Sequence, residues 1–154
     1  MNKRQKITLI KFITVILATA IAVVAMINIK DWVNRSEAMR AMEHLGQKIL
    51  AYREAYHSVP PESFVTNIKE SLEGYVRLGN VQYRGIWIDS ESTPEEILAY
   101  AEKKYPSSLL DDGFVVLRLS GRVEWLGTKQ FRKTLAQQQS QKEIEMLQKQ
   151  IGGS

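Results

Sequence analysis

The sequence predicts an α+β fold: a long N-terminal helix, transmembrane in its first half and amphipathic in its second, packed on a small antiparallel sheet, with a C-terminal helix. Three observations lead there. Residues Phe12 to Ile29, FITVILATAIAVVAMINI, carry no charge. Beyond them Trp32, Met39, Met42, Leu45, Ile49, Tyr52 and Tyr56 recur at spacings of seven, three, three, four, three and four, which places them on one helical face. After Pro60 the chain turns to aromatic and β-branched runs punctuated by glycine, the pattern of strands and turns.

The apolar run comes first. As a helix it spans roughly 27 Å, close to the thickness of a bilayer's hydrocarbon. Thr14, Thr19 and Asn28 are its polar interruptions, and Ile7 to Ile10 add a turn beyond Lys11, a side chain long enough to reach the headgroups. Phe12, Ile16, Leu17, Val23, Val24 and Ile27 are the expected lipid-facing anchor, with Trp32 where interfacial tryptophans collect. Residues 1–30 hold five basic side chains (Lys3, Arg4, Lys6, Lys11, Lys30) and no acid, leaving 16 basic against 17 acidic for the remainder. The net charge of +4 thus belongs to the anchor, and the near-neutral remainder lacks the basic patch of a nucleic-acid binder. Because the cations precede the apolar run, the N-terminus is expected in the cytoplasm and the bulk of the chain on the other side. The competing reading is a signal peptide cleaved at Ala18-Thr19-Ala20; against it, the apolar run continues nine residues past Ala20. There is no cysteine, so the domain must rely on its core and can hold neither a thiolate metal site nor a cysteine nucleophile.

The helix is expected to continue to about His57, with Met39, Met42, Leu45, Ile49, Tyr52 and Tyr56 as its packing face. Gly46, a weak helix former, could mark close packing of a neighbouring strand. Val59-Pro60-Pro61 ends the helix, since proline lacks the amide donor and its predecessor avoids the α region. Residues 62–75 read as a short helix or a loop with one turn, and Val76 to Asp89 as strand material broken at Gly79-Asn80 and Gly85. Thr93-Pro94-Glu95-Glu96 has the form of a capping box with proline at the first helical position, predicting a helix to about Lys104. Asp111-Asp112-Gly113 is a turn. Phe114 to Leu119 is the strongest strand, Ser120-Gly121 a tight turn, and Arg122 to Leu126 the returning antiparallel strand. Residues 129–151 read as a Gln-rich helix with a thin stripe of Phe131, Leu135, Ile144, Leu147 and Ile151. That stripe predicts a solvent-exposed helix, or one paired weakly with a partner. The expected organisation is an anchor over 1–30, a domain over 31–128, and the last helix with a flexible tail over 129–154.

Two stretches carry a resemblance. Ile7-Thr8-Leu9-Ile10-Lys11 is similar to the Phe-Thr-Leu-Ile-Glu start of prepilins. Ile97 to Tyr100, Gly113-Phe114-Val115-Val116-Leu117, Gly121-Arg122-Val123-Glu124-Trp125-Leu126 and Phe131 together resemble the C-terminal block of bacterial pilin-like proteins, which carry a His-x9-Asp-Gly tail motif. The chain therefore resembles the type IV pilin and type II secretion pseudopilin superfamily, with Gly113, Phe114, Gly121, Val123, Glu124 and Trp125 as its tail-motif hairpin. The resemblance implies a pilin-like domain in the periplasm, anchored in the bacterial inner membrane, with other pilin-like or secretion-system subunits as partners. Its departures are specific. Lys6 stands where prepilin peptidase needs glycine, Lys11 replaces the glutamate that guides subunits into filaments, and Ser120 and Arg122 replace the Asp and His of the tail. These imply an N-terminus that is kept and a subunit that does not polymerise by the usual charge pairing.

No nucleophile motif, phosphate-binding loop, zinc-protease signature or dinucleotide fingerprint occurs, so no catalysis, cofactor or small-molecule substrate is expected. Asp89, Glu91, Asp111 and Asp112 are the candidates for calcium, which some major pseudopilins bind, but they lack EF-hand spacing and turn roles account for them. His44 and His57 lack further ligands nearby in sequence. Trp87 and Trp125 read as sheet-face residues, and Met39 and Met42 as core fillers. Two functions compete: a non-catalytic, membrane-anchored pseudopilin-like assembly component, and a membrane-tethered adaptor recruiting a partner through residues 129–151.

Overall fold

The computed structural model describes residues 2–89, 91–140, 143–146 and 148. One helix, α1 (Lys3–Tyr56), runs 54 residues without a break. Asn2 caps it: its side chain accepts from the Lys3 amide, and the Gln5 side chain returns to the Asn2 amide. His57 ends it in the left-handed region at φ 52°, and Pro60-Pro61 forbids its resumption. Two short helices follow, α2 (Glu62–Lys69) and α3 (Tyr75–Leu78).

Among the described residues, four strands form one antiparallel meander: β1 (Val81–Tyr83), β2 (Ile97–Lys103), β3 (Gly113–Arg118) and β4 (Val123–Gly127), adjacent in that order. The hairpin joining β3 to β4 turns at Gly121, whose φ of 87° suits glycine. Each face of the sheet has its own cover. Ala99, Ala101, Val115 and Leu117 face α1, packing with Ala38, Ala41, Met42, Leu45 and Ile49. Ile97, Phe114, Val116 and Leu126 lie on the opposite face beneath Phe131 of α4 (Thr128–Gln138). The layers are helix, sheet, helix, and β3 is buried along its whole length. At Gly46 the helix presses on the sheet: a Cβ there would stand 2.8 Å from Leu117 Cδ1.

Three expectations are corrected. The helix expected from Pro94 to Lys104 is instead the turn at Thr93–Glu96 followed by strand β2. Half of the capping box forms, with the Thr93 amide on Glu96 Oε1, but the helix does not propagate. Its first carbonyls are taken: Ser120 N donates to Pro94 O and Leu119 N to Glu96 O, while the Arg118 guanidinium and Gln138 Nε2 donate to Glu95 O. With those acceptors engaged by distant donors, Ile97 to Ala101 extends between β1 and β3. Buried on both faces, it reads in sequence as a short apolar run that periodicity cannot separate from helix.

The strand material expected from Val76 to Asp89 contracts to β1; Tyr75–Leu78 is helical and Gly85–Trp87 is a 3-10 turn. The single helix expected over 129–151 ends at Gln138, with Gln139 extended at φ −78° and ψ 130°. Nor does α4 stand free in solvent. Phe131 is buried, stacked on Phe114 at 3.8 Å between centroids. Gln138 stops the helix by bonding elsewhere, its Oε1 accepting from Ile97 N and its Nε2 donating to Glu95 O. Residues 143–146 are again helical; Leu147 and Ile151 of the expected stripe lie outside the described residues.

Candidate functional site

The feature to be explained is the first half of α1. Every residue from Asn2 to Met26 is exposed, although an 18-residue window of this helix reaches a mean hydropathy of 2.5. Phe12, Ile16, Leu17, Val23 and Val24 project freely, Ile27 is half-buried, and Trp32 is 62% exposed. Among the described residues nothing covers this apolar half of the helix. By length and composition it is sufficient to cross a membrane.

Its side-chain donors are already satisfied within the helix. Thr14 Oγ1 donates to Ile10 O and Thr19 Oγ1 to Val15 O, both at 2.9 Å, and Asn28 Nδ2 donates to Val24 O at 2.7 Å. Such bonds to the preceding turn make threonine and asparagine tolerable where water is absent. The charges at the start run against helix electrostatics: Lys3, Arg4 and Lys6 sit at the positive end of the dipole, with no acid in the first turn. Cations there cost about 0.3–1 kcal/mol each near a surface, so intrinsic helix stability does not explain their position.

The second half of α1 carries the domain. Met42, Leu45 and Ile49 are fully buried and Met39 and Tyr52 half-buried. Tyr56 departs from the expected packing face: it is 66% exposed and touches Tyr52, their ring centroids 4.5 Å apart. By that point α1 has risen past the end of the sheet, where the Arg53 guanidinium reaches back to Leu119 O at 2.6 Å. Lower down, the Arg35 guanidinium lies 3.8 Å over the Trp125 ring and Glu37 pairs with Arg77 at 2.9 Å. Lowest of all, Asn28 Oδ1 accepts from Leu109 N at 2.8 Å.

Comparison with family models, curated proteins and solved structures finds no match to this chain.

The hairpin residues divide between the two faces. Phe114 is buried toward α4, whereas Gly113 lies on the opposite face, where a Cβ would meet Leu126 O and the Trp125 ring. Val123 and Trp125 pack toward α1. Glu124 pairs with Arg118 at 2.6 Å, and Gly121 makes the turn. The carboxylates considered for calcium do not converge on one point. Asp89 Oδ1 accepts from Glu91 N and Ser92 Oγ, while Asp112 Oδ1 accepts from Tyr105 N. Among the described residues, no three His, Cys, Asp or Glu side chains gather as metal ligands. His44 is half-buried, and His57 is exposed at the helix end. An open cleft between Leu50, Arg53, His57, Ile88 and Leu119 lies beside that end, its arginine held by Leu119 O.

Sequence reasoning missed one pair. Arg84 is 3% exposed and Glu143 2%. The guanidinium gives Nε and Nη2 to the two carboxylate oxygens at 2.7 and 2.8 Å, Nη1 to Ile97 O and Nη2 also to Gln138 O. This clamp draws the chain beyond α4 back onto the sheet. An arginine between Tyr83 and Trp87 was the available hint; its partner lies 59 residues away.

Burial and neighbours shift several groups of the domain. Desolvation pushes the Tyr83 and Tyr100 hydroxyls up, and that of Tyr105 beside Arg35. It also lowers Lys103, whose ammonium donates to Arg77 O.

Proposed function

We propose that this protein is a single-pass membrane protein of pseudopilin-like design, acting without catalysis as an assembly component. One observation carries the reading: α1 is continuous from a fully exposed apolar half into a half buried against a four-stranded antiparallel sheet. An uninterrupted helix of this kind couples a bilayer segment rigidly to a folded domain. That arrangement suits lateral packing of one subunit's helix against others, both within and above the membrane. Secretion-system or pilus-related subunits are the partners this implies, with the N-terminus cytoplasmic and the domain periplasmic. The adaptor reading gains no support from the fold, because α4 spends Phe131 on the sheet.

Two variants test the proposal. Val24→Asp places a charge near the middle of the apolar run, at about 2.5–3.5 kcal/mol on insertion scales, and should move the protein out of the alkali-resistant membrane fraction. Met26→Cys, in a chain with no other cysteine, should crosslink into species larger than a monomer in native membranes. Unchanged fractionation of Val24→Asp defeats the anchor, and a Met26→Cys protein that stays monomeric defeats lateral assembly.

A further inference from the structure

We infer that the turn at Tyr105–Leu110 seats the domain on the bilayer, with Leu109 entering the boundary between hydrocarbon and headgroups of a phospholipid membrane; this rests on the membrane reading of α1. Asn28 is the one amide side chain in the apolar run. Both ends of that amide are engaged: Nδ2 on Val24 O, and Oδ1 receiving Leu109 N at 2.8 Å. The loop backbone is thus tied to a residue of the apolar segment itself, and the Leu109 amide needs no water at that level.

The level follows from helix geometry. The uncharged run from Phe12 to Ile29 is centred between Ala20 and Ile21, and Asn28 stands about 11 Å farther along the axis at the α-helical rise. Half of a bilayer's hydrocarbon is about 15 Å, so Asn28 lies within one helical turn of its edge. Leu109 therefore sits where acyl chains meet headgroups, and Trp32 stands roughly one helical turn above, at the depth tryptophan favours.

The loop is built to present its leucine. Ser108 N donates to Tyr105 O, Leu110 N to Ser108 Oγ, and Tyr105 N to Asp112 Oδ1, which closes the loop at its base. The Tyr105 ring is buried beside Trp125. Leu109 itself is 83% exposed, the most exposed large apolar side chain among the described residues. Exposed leucines are ordinary on a soluble surface. This one adjoins a helix whose neighbouring Ile29, Trp32 and Val33 are also exposed, so one apolar surface continues from helix to loop. Asp111 and Asp112 lie alongside, exposed, with Arg35 near Asp111 and Lys30 exposed on the helix, so charges of both signs meet the two signs of a zwitterionic headgroup.

Because the chain has no cysteine, single labels report unambiguously. Full-length protein carrying Leu109→Cys, Val24→Cys or Ser120→Cys would be labelled with an environment-sensitive fluorophore and reconstituted in phosphatidylcholine vesicles containing nitroxide lipid. Ser120 lies beside Leu119, whose carbonyl holds Arg53, about 37 Å above Asn28 along α1. The expected result is severalfold stronger quenching at position 109 by a shallow nitroxide than at 120, with blue-shifted emission. Adding Asn28→Ala should weaken it. Quenching at 109 no greater than at 120, while 24 is quenched by a deep nitroxide, overturns this inference and leaves the anchor standing. No quenching at 24 removes the membrane reading and this inference together. If quenching at 109 persists unchanged with Asn28→Ala, the tether that sets the depth is refuted.

Discussion

Glu143→Gln is the substitution that tests the architecture most directly. It keeps the size of the side chain but removes the charge facing Arg84, whose guanidinium is almost wholly buried. Cutting one partner from a buried pair leaves the other charge uncompensated, at about 3–5 kcal/mol. Against a typical domain stability of about 5–15 kcal/mol, that is a large fraction. Replacing both partners with apolar groups, Arg84→Met with Glu143→Leu, removes the stranded charge. It still forfeits the bonds from Arg84 to Ile97 O and Gln138 O, each worth about 0.5–1.5 kcal/mol net. The double variant should therefore be more stable than Glu143→Gln, with a coupling of roughly 1–3 kcal/mol. Urea unfolding of the full chain in detergent micelles, followed by fluorescence of Trp87 and Trp125, measures both. A Glu143→Gln variant within about 0.5 kcal/mol of the parent, the range of ordinary surface substitutions, would show that Glu143 is not held against Arg84 and that the chain does not return to the sheet.

Three further outcomes follow from packing and titration. Phe131→Ala should cost about 3–5 kcal/mol by removing the ring stacked on Phe114, and should raise protease sensitivity within α4; a smaller loss than 1 kcal/mol in urea unfolding would contradict the burial of that helix. Gly46→Val should destabilise by about 1–3 kcal/mol through overpacking, because its Cβ meets the buried Leu117; a rise in melting temperature would refute the close approach. For pH, burial raises Tyr83 above its unfolded value of 10.0, so the folded state retains a proton that the unfolded state releases. Stability from this group is complete below about pH 10 and falls as pH rises through the alkaline range. Tyr83→Phe should lose about 0.5–1.5 kcal/mol at neutral pH, since the hydroxyl donates to Pro60 O at 2.7 Å, and should flatten the alkaline decline. A decline of unchanged slope would assign it to Tyr100 or Tyr105.

The elements readable in the sequence are those whose signal is local. The 3.6-residue period from Met39 to Ile49 names the buried face of α1, because one helix side meets one surface. Tyr56 breaks the pattern only because the sheet has ended beneath it. Phe114 to Leu119 and Gly121 announce the hairpin, since a β-branched run and a turn glycine act within a few residues. Asp89 likewise serves the turn role its type suggests, accepting from Glu91 and Ser92, whereas the turn expected at Asp111–Gly113 falls instead at 106–110 and Gly113 opens β3.

The chain by itself determined the long helix, its uncovered apolar half, the proline stop and the central hairpin, all from interactions spanning at most a few residues. Tertiary structure alone decided β2, the length of α4 and the Arg84–Glu143 clamp. The capping signal at Thr93–Glu96 is sound locally and yields when Arg118, Leu119, Ser120 and Gln138 supply donors to its carbonyls. Gln138 and Glu143 look solvent-facing in sequence because their partners, Ile97 and Arg84, lie 41 and 59 residues away. A backbone carbonyl takes whichever donor the folded chain brings to it, and periodicity holds no record of donors that arrive from elsewhere.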